Sequence, residues 1–268
     1  MLRTRVVTAL LLVAGLALIL FAMPPLAALL TFAAIAALAA WEWGGLMKQD
    51  KPARVMYGFV LLLFCWQLTV GAPQLVPVLL GVSVAFWILV VPLWFRFKWT
   101  LAGNDFFGYL LGALVILPTW AAMVALHAVS TWLMLAAMAL VWVADISAYF
   151  AGRTFGKHGK HKLAPSISPG KTWEGVAGAV VGVLIYGGIV LMFSPLKDTL
   201  PLPLVVLLLV LLTLVSVMGD LFESLLKRQA GIKDSSNLLP GHGGVLDRID
   251  ALTSALPLAA LILYFVQR

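Results

Sequence analysis

The sequence predicts an all-α, polytopic integral membrane protein with about nine transmembrane helices, and three observations carry that prediction. First, the 268 residues are 63% hydrophobic and 11% charged, with a mean hydropathy of +1.06. An ordinary soluble domain is about 45–50% apolar and about 25% charged, so a water-exposed fold could not cover this much apolar surface. Second, apolar runs of about 20 residues recur along the whole chain. Third, the basic residues fall on alternate connections between those runs. The same figures exclude a disordered chain, a collagen and a disulfide scaffold. The single cysteine, Cys65, lies in an apolar run and reads as an inert buried thiol, with no internal disulfide or cysteine metal cluster available.

The expected spans are roughly 6–22, 25–46, 55–71, 76–95, 106–127, 131–152, 174–194, 202–226 and 248–266. Turn chemistry separates them at Pro24-Pro25, Gly71-Ala72-Pro73, Gly103-Asn104-Asp105 and Ser194-Pro195. The first run lacks a clear small-residue cleavage site and a second run follows almost at once, so it is kept as a span. Trp41, Trp43, Trp94 and Trp99 lie near the expected interfaces and read as an interfacial aromatic belt.

Sixteen of the eighteen Lys and Arg residues lie on one side of this arrangement; Lys197 and Arg268 lie on the other. The positive-inside rule therefore places the N-terminus and the even-numbered connections in the cytoplasm, as in a bacterial-type inner membrane protein. Only two connections are long enough to carry chemistry, about 152–173 and about 227–248, and both fall on the cytoplasmic side. Residues 1–100 then read as a scaffold and lipid-facing wall of four spans, and 101–268 as the catalytic region.

A carboxylate at the bilayer centre costs about 2.5–3.5 kcal/mol, so acids kept within spans need a reason. Asp145, Asp220 and Glu223 lie within spans towards their cytoplasmic ends, and Glu174, Asp247 and Asp250 lie where spans re-enter from that side. Asp220, Glu223, Ser224 and Lys227 share one helix face, as do Asp247 and Asp250. Two carboxylate pairs at neighbouring helix ends can converge on a hard divalent cation; Mg²⁺ takes one or two protein carboxylates and completes its shell with water and phosphate oxygens. No His or Cys spacing suggests zinc. His158 and His161 read as solvated or phosphate-facing, and His127 as structural.

The first loop, 152-GRTFGKHGKHKLAPSISPGKTWEG-175, is rich in Gly, Lys and hydroxyls. Such a loop suits a triphosphate, or attraction to anionic lipid; composition alone leaves both open. Ser168 to Thr172 resembles a Walker A ending but lacks its first glycine, so a P-loop is rejected. In the second loop, 227-KRQAGIKDSSNLLPGHGGVLDRID-250, a glycine turn precedes the helix bearing Asp247 and Asp250. A glycine turn allows close backbone approach, and a helix start favours phosphate, whereas acids there repel it unless a cation bridges them.

The stretch Ser224-x-Leu226-Lys227-Arg228-x4-Lys233-Asp234-x-Ser236-x2-Leu239-Pro240-x-His242-Gly243-Gly244-Val245-x-Asp247-Arg248-Ile249-Asp250 resembles the signature of the phosphatidate cytidylyltransferases without departure over 27 positions. Asp145, Tyr149, Gly152, Lys157 and His158, and Ser166, Ser168, Lys171, Thr172 and Glu174, also look like this family. The N-terminal half matches it only in hydropathy. The resemblance implies the reaction CTP + phosphatidate → CDP-diacylglycerol + pyrophosphate. It further implies a multi-span fold, commonly a homodimer, with Mg²⁺ required and a second cation, such as K⁺, beside it. No nucleic acid partner is expected.

By the family pattern Asp220 and Asp247, with Asp250 beside them, hold the metal. Asp220, Asp247, Lys227 and Arg248 are then the catalytic residues. The substrate contacts are Asp145, Lys157, Ser168, Lys171, Ser224, Arg228, His242, Gly243, Gly244 and Asp250. Lys171, Lys227, Arg228 and Arg248 would neutralise the two phosphates, and no general base is needed because a phosphate monoester is already an anion at neutral pH. A CTP-dependent lipid kinase would need to deprotonate a hydroxyl and does not carry this signature. The D-G-x2-A-R-x8-G-x3-D-x3-D pattern of CDP-alcohol phosphotransferases is absent. A transporter would carry acids near mid-membrane in both halves.

Overall fold

A computed structural model of the chain describes residues 2–101, 103–156, 161–193 and 200–267. Lys157, His158, Lys160, Ser194, Pro195, Lys197, Asp198 and Arg268 fall outside these residues, and with them the expected Ser194-Pro195 break and the Lys157 substrate contact.

Helix α1 (Leu2–Phe21) ends before Pro24, and α2 (Pro25–Leu46) starts with proline at its first position, where no N–H is needed. Asp50 opens α3 (Lys51–Trp66) by accepting the Ala53 N–H at 2.9 Å, so this span begins four residues earlier than expected from hydropathy. A π-helical turn extends it to Gly71. Helices α4 (Val76–Ala85) and α5 (Val91–Phe97) join through a second π-helical turn into one span. Asn104 caps α6 (Asp105–Val129), and Ser130 both ends α6 and caps α7 (Thr131–Phe155). Helices α8 (Trp173–Phe193) and α9 (Leu202–Ala230) follow; Gly231, at φ +78°, closes α9 in the left-handed conformation that glycine takes without penalty.

Among the described residues, eight helical segments are long and apolar enough to cross a membrane. The ninth expected span is made of a single turn, α10 (Leu246–Ile249), and the 15-residue α11 (Leu252–Val266), with Asp250 and Ala251 between them still in right-handed helical conformation. At this junction the Asp250 carboxylate accepts the Ala251 N–H at 2.8 Å. The fold is helical as expected, with one short hairpin added to it. In the first loop β1 (Lys162–Ala164) and β2 (Ser168–Thr172) pair antiparallel, with Lys162 opposite Thr172 and Ala164 opposite Ser168.

The core lies around α6 and α11. Residues Leu252 to Leu258 of α11 are all buried, and the Thr119 hydroxyl of α6 donates to the Thr253 carbonyl at 3.3 Å. Glycines let α8 lie close on α7: Gly178 faces Ala151 and Gly182 faces Ser147, where a Cβ would collide. An aromatic collar fixes α9. Phe86, Trp87 and Trp94 meet Phe222 edge-on with ring centroids 5.8, 5.5 and 5.4 Å away. Phe222 stands between Asp220 and Glu223 in sequence, so this collar sets the rotation at which α9 presents its acids.

The interfacial belt expectation is corrected for two of its four members. Trp43 and Trp94 are buried between helices, and their indole N–H groups donate to the carbonyls of Gly108 (3.0 Å) and Trp99 (2.7 Å). Trp99 is exposed, and Trp41 carries the Arg54 guanidinium 3.8 Å above its ring. Cys65 is buried and free.

Candidate active site

The hairpin and the start of α8 build the first cavity. The Thr172 hydroxyl accepts the Gly175 N–H at 3.1 Å, capping α8 and holding the hairpin against it. His161 pairs with Glu174 at 2.8 Å, so it serves this corner rather than a phosphate. A cavity of about 460 Å³ results between α7, α8, α9 and the hairpin. Asp145, Arg153, Ser168, Lys171 and Asp220 line it, along with apolar Val176 and Val217. Lys171 Nζ lies 2.6 Å from Asp220 Oδ2, and the Ser224 hydroxyl donates to Asp220 Oδ1 at 3.3 Å. Exposed Tyr149, Phe150, Phe155 and Trp173 surround this corner.

The second loop builds the other cavity, of about 470 Å³. Gly241 and Gly243 take φ of +77° and +78°, and this turn is closed by the Leu239 N–H donating to the Gly243 carbonyl at 2.8 Å. Lys233, His242 and Arg248 line the cavity, with Asp234 as its one acid. Helix α1 completes it: Arg5 joins the lining, and the Thr8 hydroxyl donates to the Pro240 carbonyl at 2.9 Å. Among the described residues, Arg5, Lys233 and Arg248 have no carboxylate within ion-pair distance. Among the described residues, the buried Nδ1 of His242 has no hydrogen-bond partner.

A buried polar network joins the end of α9 to the second loop. The Lys227 ammonium sits 3.0 Å from Glu223 Oε1 and 2.5 Å from Asp247 Oδ1. Asp247 Oδ2 accepts the Ser235 N–H (2.8 Å), the Ser235 hydroxyl (2.9 Å) and the Gly244 N–H (2.8 Å). Burial pushes the Asp247 carboxyl up, but Lys227 and the Gly244 and Ser235 N–H groups outweigh it and hold the group below the ordinary carboxylate range. Asp145, Asp220 and Asp250 lie close enough to act electrostatically on one another, and Arg248 reaches Asp145 in the same way. Arg228 ties the loops together, its Nε donating to the Ile167 carbonyl at 3.5 Å.

Most of the predicted residues thus fall into three groups. Asp145, Ser168, Lys171, Ser224 and Asp220 gather at the first cavity. His242, Gly243 and Arg248 gather at the second. Lys227, Asp247 and Gly244 lie in the buried network, with Lys227 held by two carboxylates rather than turned to either cavity. Of the others, Arg228 bridges the two loops, and Asp250 stands at the junction of α10 and α11 within electrostatic reach of Asp145 and Asp220. Three participants were not foreseen. Glu42 of α2 is fully buried and accepts hydrogen bonds from the second loop. Its signal was available, as an acid in 41-WEWGG-45 at the same end of a span as the others. Ser235 falls at an open position of the 27-residue pattern, which therefore gave no sign of it. Arg5 had been read only as a topology signal.

Among the described residues, no three His, Cys, Asp or Glu side chains form a ready metal cluster. The donor set nevertheless fits a hard divalent cation that relies on phosphate oxygens. The Asp220 carboxylate is partly open beside the first cavity, with Asp250 and Asp145 nearby. Asp247 fits less directly. A carboxylate offers about four acceptor sites, and four donors already surround it.

A model of the Cytidylyltransferase family matches residues 3–266. A phosphatidate cytidylyltransferase of Pseudomonas aeruginosa is 41% identical over 86% of this chain and 85% of its own. One of Haemophilus influenzae is 35% identical over 99% of this chain and the whole of its own. One of Bacillus subtilis is 44% identical over 48% of this chain and 45% of its own. The family model and the first two relatives match through both halves of the chain, and the polar cavities lie where the signature residues gather: the chain is a membrane-embedded nucleotidyltransferase and belongs to the cytidylyltransferase family.

Proposed function

We propose that this protein transfers the cytidylyl group of CTP to phosphatidate, forming CDP-diacylglycerol and releasing pyrophosphate, at the cytoplasmic face of the membrane. The observation that carries this reading is the pair of cation-lined cavities, linked by Arg248 of the second acting electrostatically on Asp145 of the first. Two phosphate-bearing substrates must meet here, and two basic compartments are present. The first has apolar walls and exposed aromatic neighbours, which suit a lipid whose acyl chains stay in the bilayer. The second is polar and entered by Arg5, Lys233 and Arg248, which suits the triphosphate of a soluble nucleotide.

The lipid phosphate oxygen then attacks the α-phosphorus in line with the departing pyrophosphate. Such a transfer depends on positioning and charge neutralisation. Lys171 meets the lipid phosphate, Arg5 and Lys233 hold the triphosphate, and Arg248, which lines the second cavity and acts electrostatically on Asp145 of the first, serves both. Lys227 holds Glu223 and Asp247 in place. Asp220, with Asp250 and then Asp247, would hold a divalent cation, Mg²⁺ by our reading, that neutralises charge on the triphosphate and on the leaving group. A second cation such as K⁺, a homodimer and a Lys157 contact belong to the same proposal; light scattering in detergent tests the dimer. The reaction itself is tested by supplying CTP labelled at the α-phosphorus together with phosphatidate. Label in the lipid product supports it, and lipid labelled only from γ-labelled CTP identifies a kinase instead.

A further inference from the structure

We infer that Glu42, in the N-terminal half of the chain, is a positioning residue for the reaction: it holds the second loop in register with Asp247. This rests on the transfer reaction proposed above. Glu42 lies at the end of α2 with 0% of its surface exposed. Among the described residues no cation lies within ion-pair distance of it. A buried carboxylate without a counter-ion is costly unless hydrogen bonds satisfy it.

Four donors surround Glu42, and all come from the second loop or the start of α10. Oε1 accepts the Ser236 hydroxyl at 2.6 Å and the Val245 N–H at 2.9 Å. Oε2 accepts the Leu246 N–H at 2.7 Å and faces the Ser235 hydroxyl at 2.9 Å. That hydroxyl also lies 2.9 Å from Asp247 Oδ2. A hydroxyl carries one proton, so Ser235 is shared between the two carboxylates and couples them. Gly244 is wedged into the same space, where a Cβ would collide with Ser235 and Glu42. Glu42 therefore reaches Asp247 through one shared side chain and fixes the backbone that enters α10. An apolar residue would fill the volume but leave two backbone N–H groups and the Ser236 hydroxyl without an acceptor, with the Ser235 hydroxyl left to Asp247 alone.

Glu42→Gln is close to isosteric and tests this directly. One end of the amide is a donor, so at least one loop N–H must lose its acceptor. We expect kcat to fall about 10- to 100-fold, the range seen when an outer-shell partner of a functional group is lost. The KM for phosphatidate should stay within about threefold, because the first cavity is not touched. The backbone amides of Val245 and Leu246 should exchange deuterium faster. Ser235→Ala should also lower kcat, and adding it to Glu42→Gln should cost less than the product of the single effects, because both act through one contact. Ser236→Ala removes the 2.6 Å donor to Glu42, along with the acceptor of the exposed Leu238 N–H, and should lower kcat severalfold, so the inference stays testable if Glu42→Gln does not fold. A normal kcat in folded Glu42→Gln or Ser236→Ala, or strictly multiplicative effects with Ser235→Ala, overturns the role of Glu42. A wild-type protein that makes no cytidylyl lipid overturns the reaction, and this inference with it.

Discussion

Lys227 Nζ lies 2.5 Å from Asp247 Oδ1, joining the end of α9 to the start of α10 across 20 residues of sequence. The same ammonium holds Glu223, so one cation answers two buried acids. This arrangement orients both helix ends.

Replacing Lys227 with methionine should be severe. It leaves Glu223 and Asp247 buried without their cation, a loss of about 3–5 kcal/mol for a broken buried pair. Thermal unfolding in detergent should show it, and Cys65 supplies the reporter. It is free and buried, so a thiol-reactive dye reads global unfolding. Unchanged melting would show that the pair is dispensable.

Asp247 also links stability to pH. Its native pKa is held below the ordinary carboxylate value, so the native state binds protons less readily than the unfolded chain there. Its contribution is complete above the unfolded value of about 4 and is lost as pH falls through the lower native value. The acid-side drop in melting temperature should therefore be shallower in Asp247→Asn than in the wild type. An identical slope in the two proteins would contradict this.

Asp220→Asn should lower kcat by at least about 100-fold, the scale on which a preorganised charge contact acts. It should also raise the divalent cation concentration needed for half-maximal activity, with little change in melting, since Asp220 is partly exposed. Asp247→Asn should instead lose stability along with activity, because its oxygens serve the network. Equal behaviour of the two variants would remove this division of roles.

Arg5→Ala should raise the KM for CTP about tenfold, or about 1.4 kcal/mol, and leave the KM for phosphatidate unchanged. Initial rates with each substrate varied in turn separate these outcomes. A change confined to phosphatidate would reverse the assignment of the two cavities.

Much of this was legible in the sequence, for reasons that differ along the chain. Span lengths and alternating charge made the helices plain, because the bilayer tolerates few other solutions. Asp145, Asp220 and Asp250 were legible because acids at one membrane depth are expensive. The junction between α10 and α11 was not, since it rests on a local bond from the Ala251 N–H to the Asp250 carboxylate that no residue pattern marks. The hairpin at 162–172 was hidden by its Lys, Pro and Gly content. Trp43 and Trp94 sat at interface-like positions, yet only tertiary packing could reveal that their N–H groups are spent inside the bundle. Glu42 carried the same depth signal as the other acids, but its pairing with Ser235, 193 residues away, is encoded in no local pattern.

The most direct measurement is transfer from CTP labelled at its α-phosphorus to phosphatidate by the purified protein in detergent, with a divalent cation present. The account predicts label in a lipid that co-migrates with CDP-diacylglycerol, released pyrophosphate in equal amount, and near-complete loss of both in Asp220→Asn. Label appearing in lipid only from γ-labelled CTP, or no lipid product at all, would contradict it.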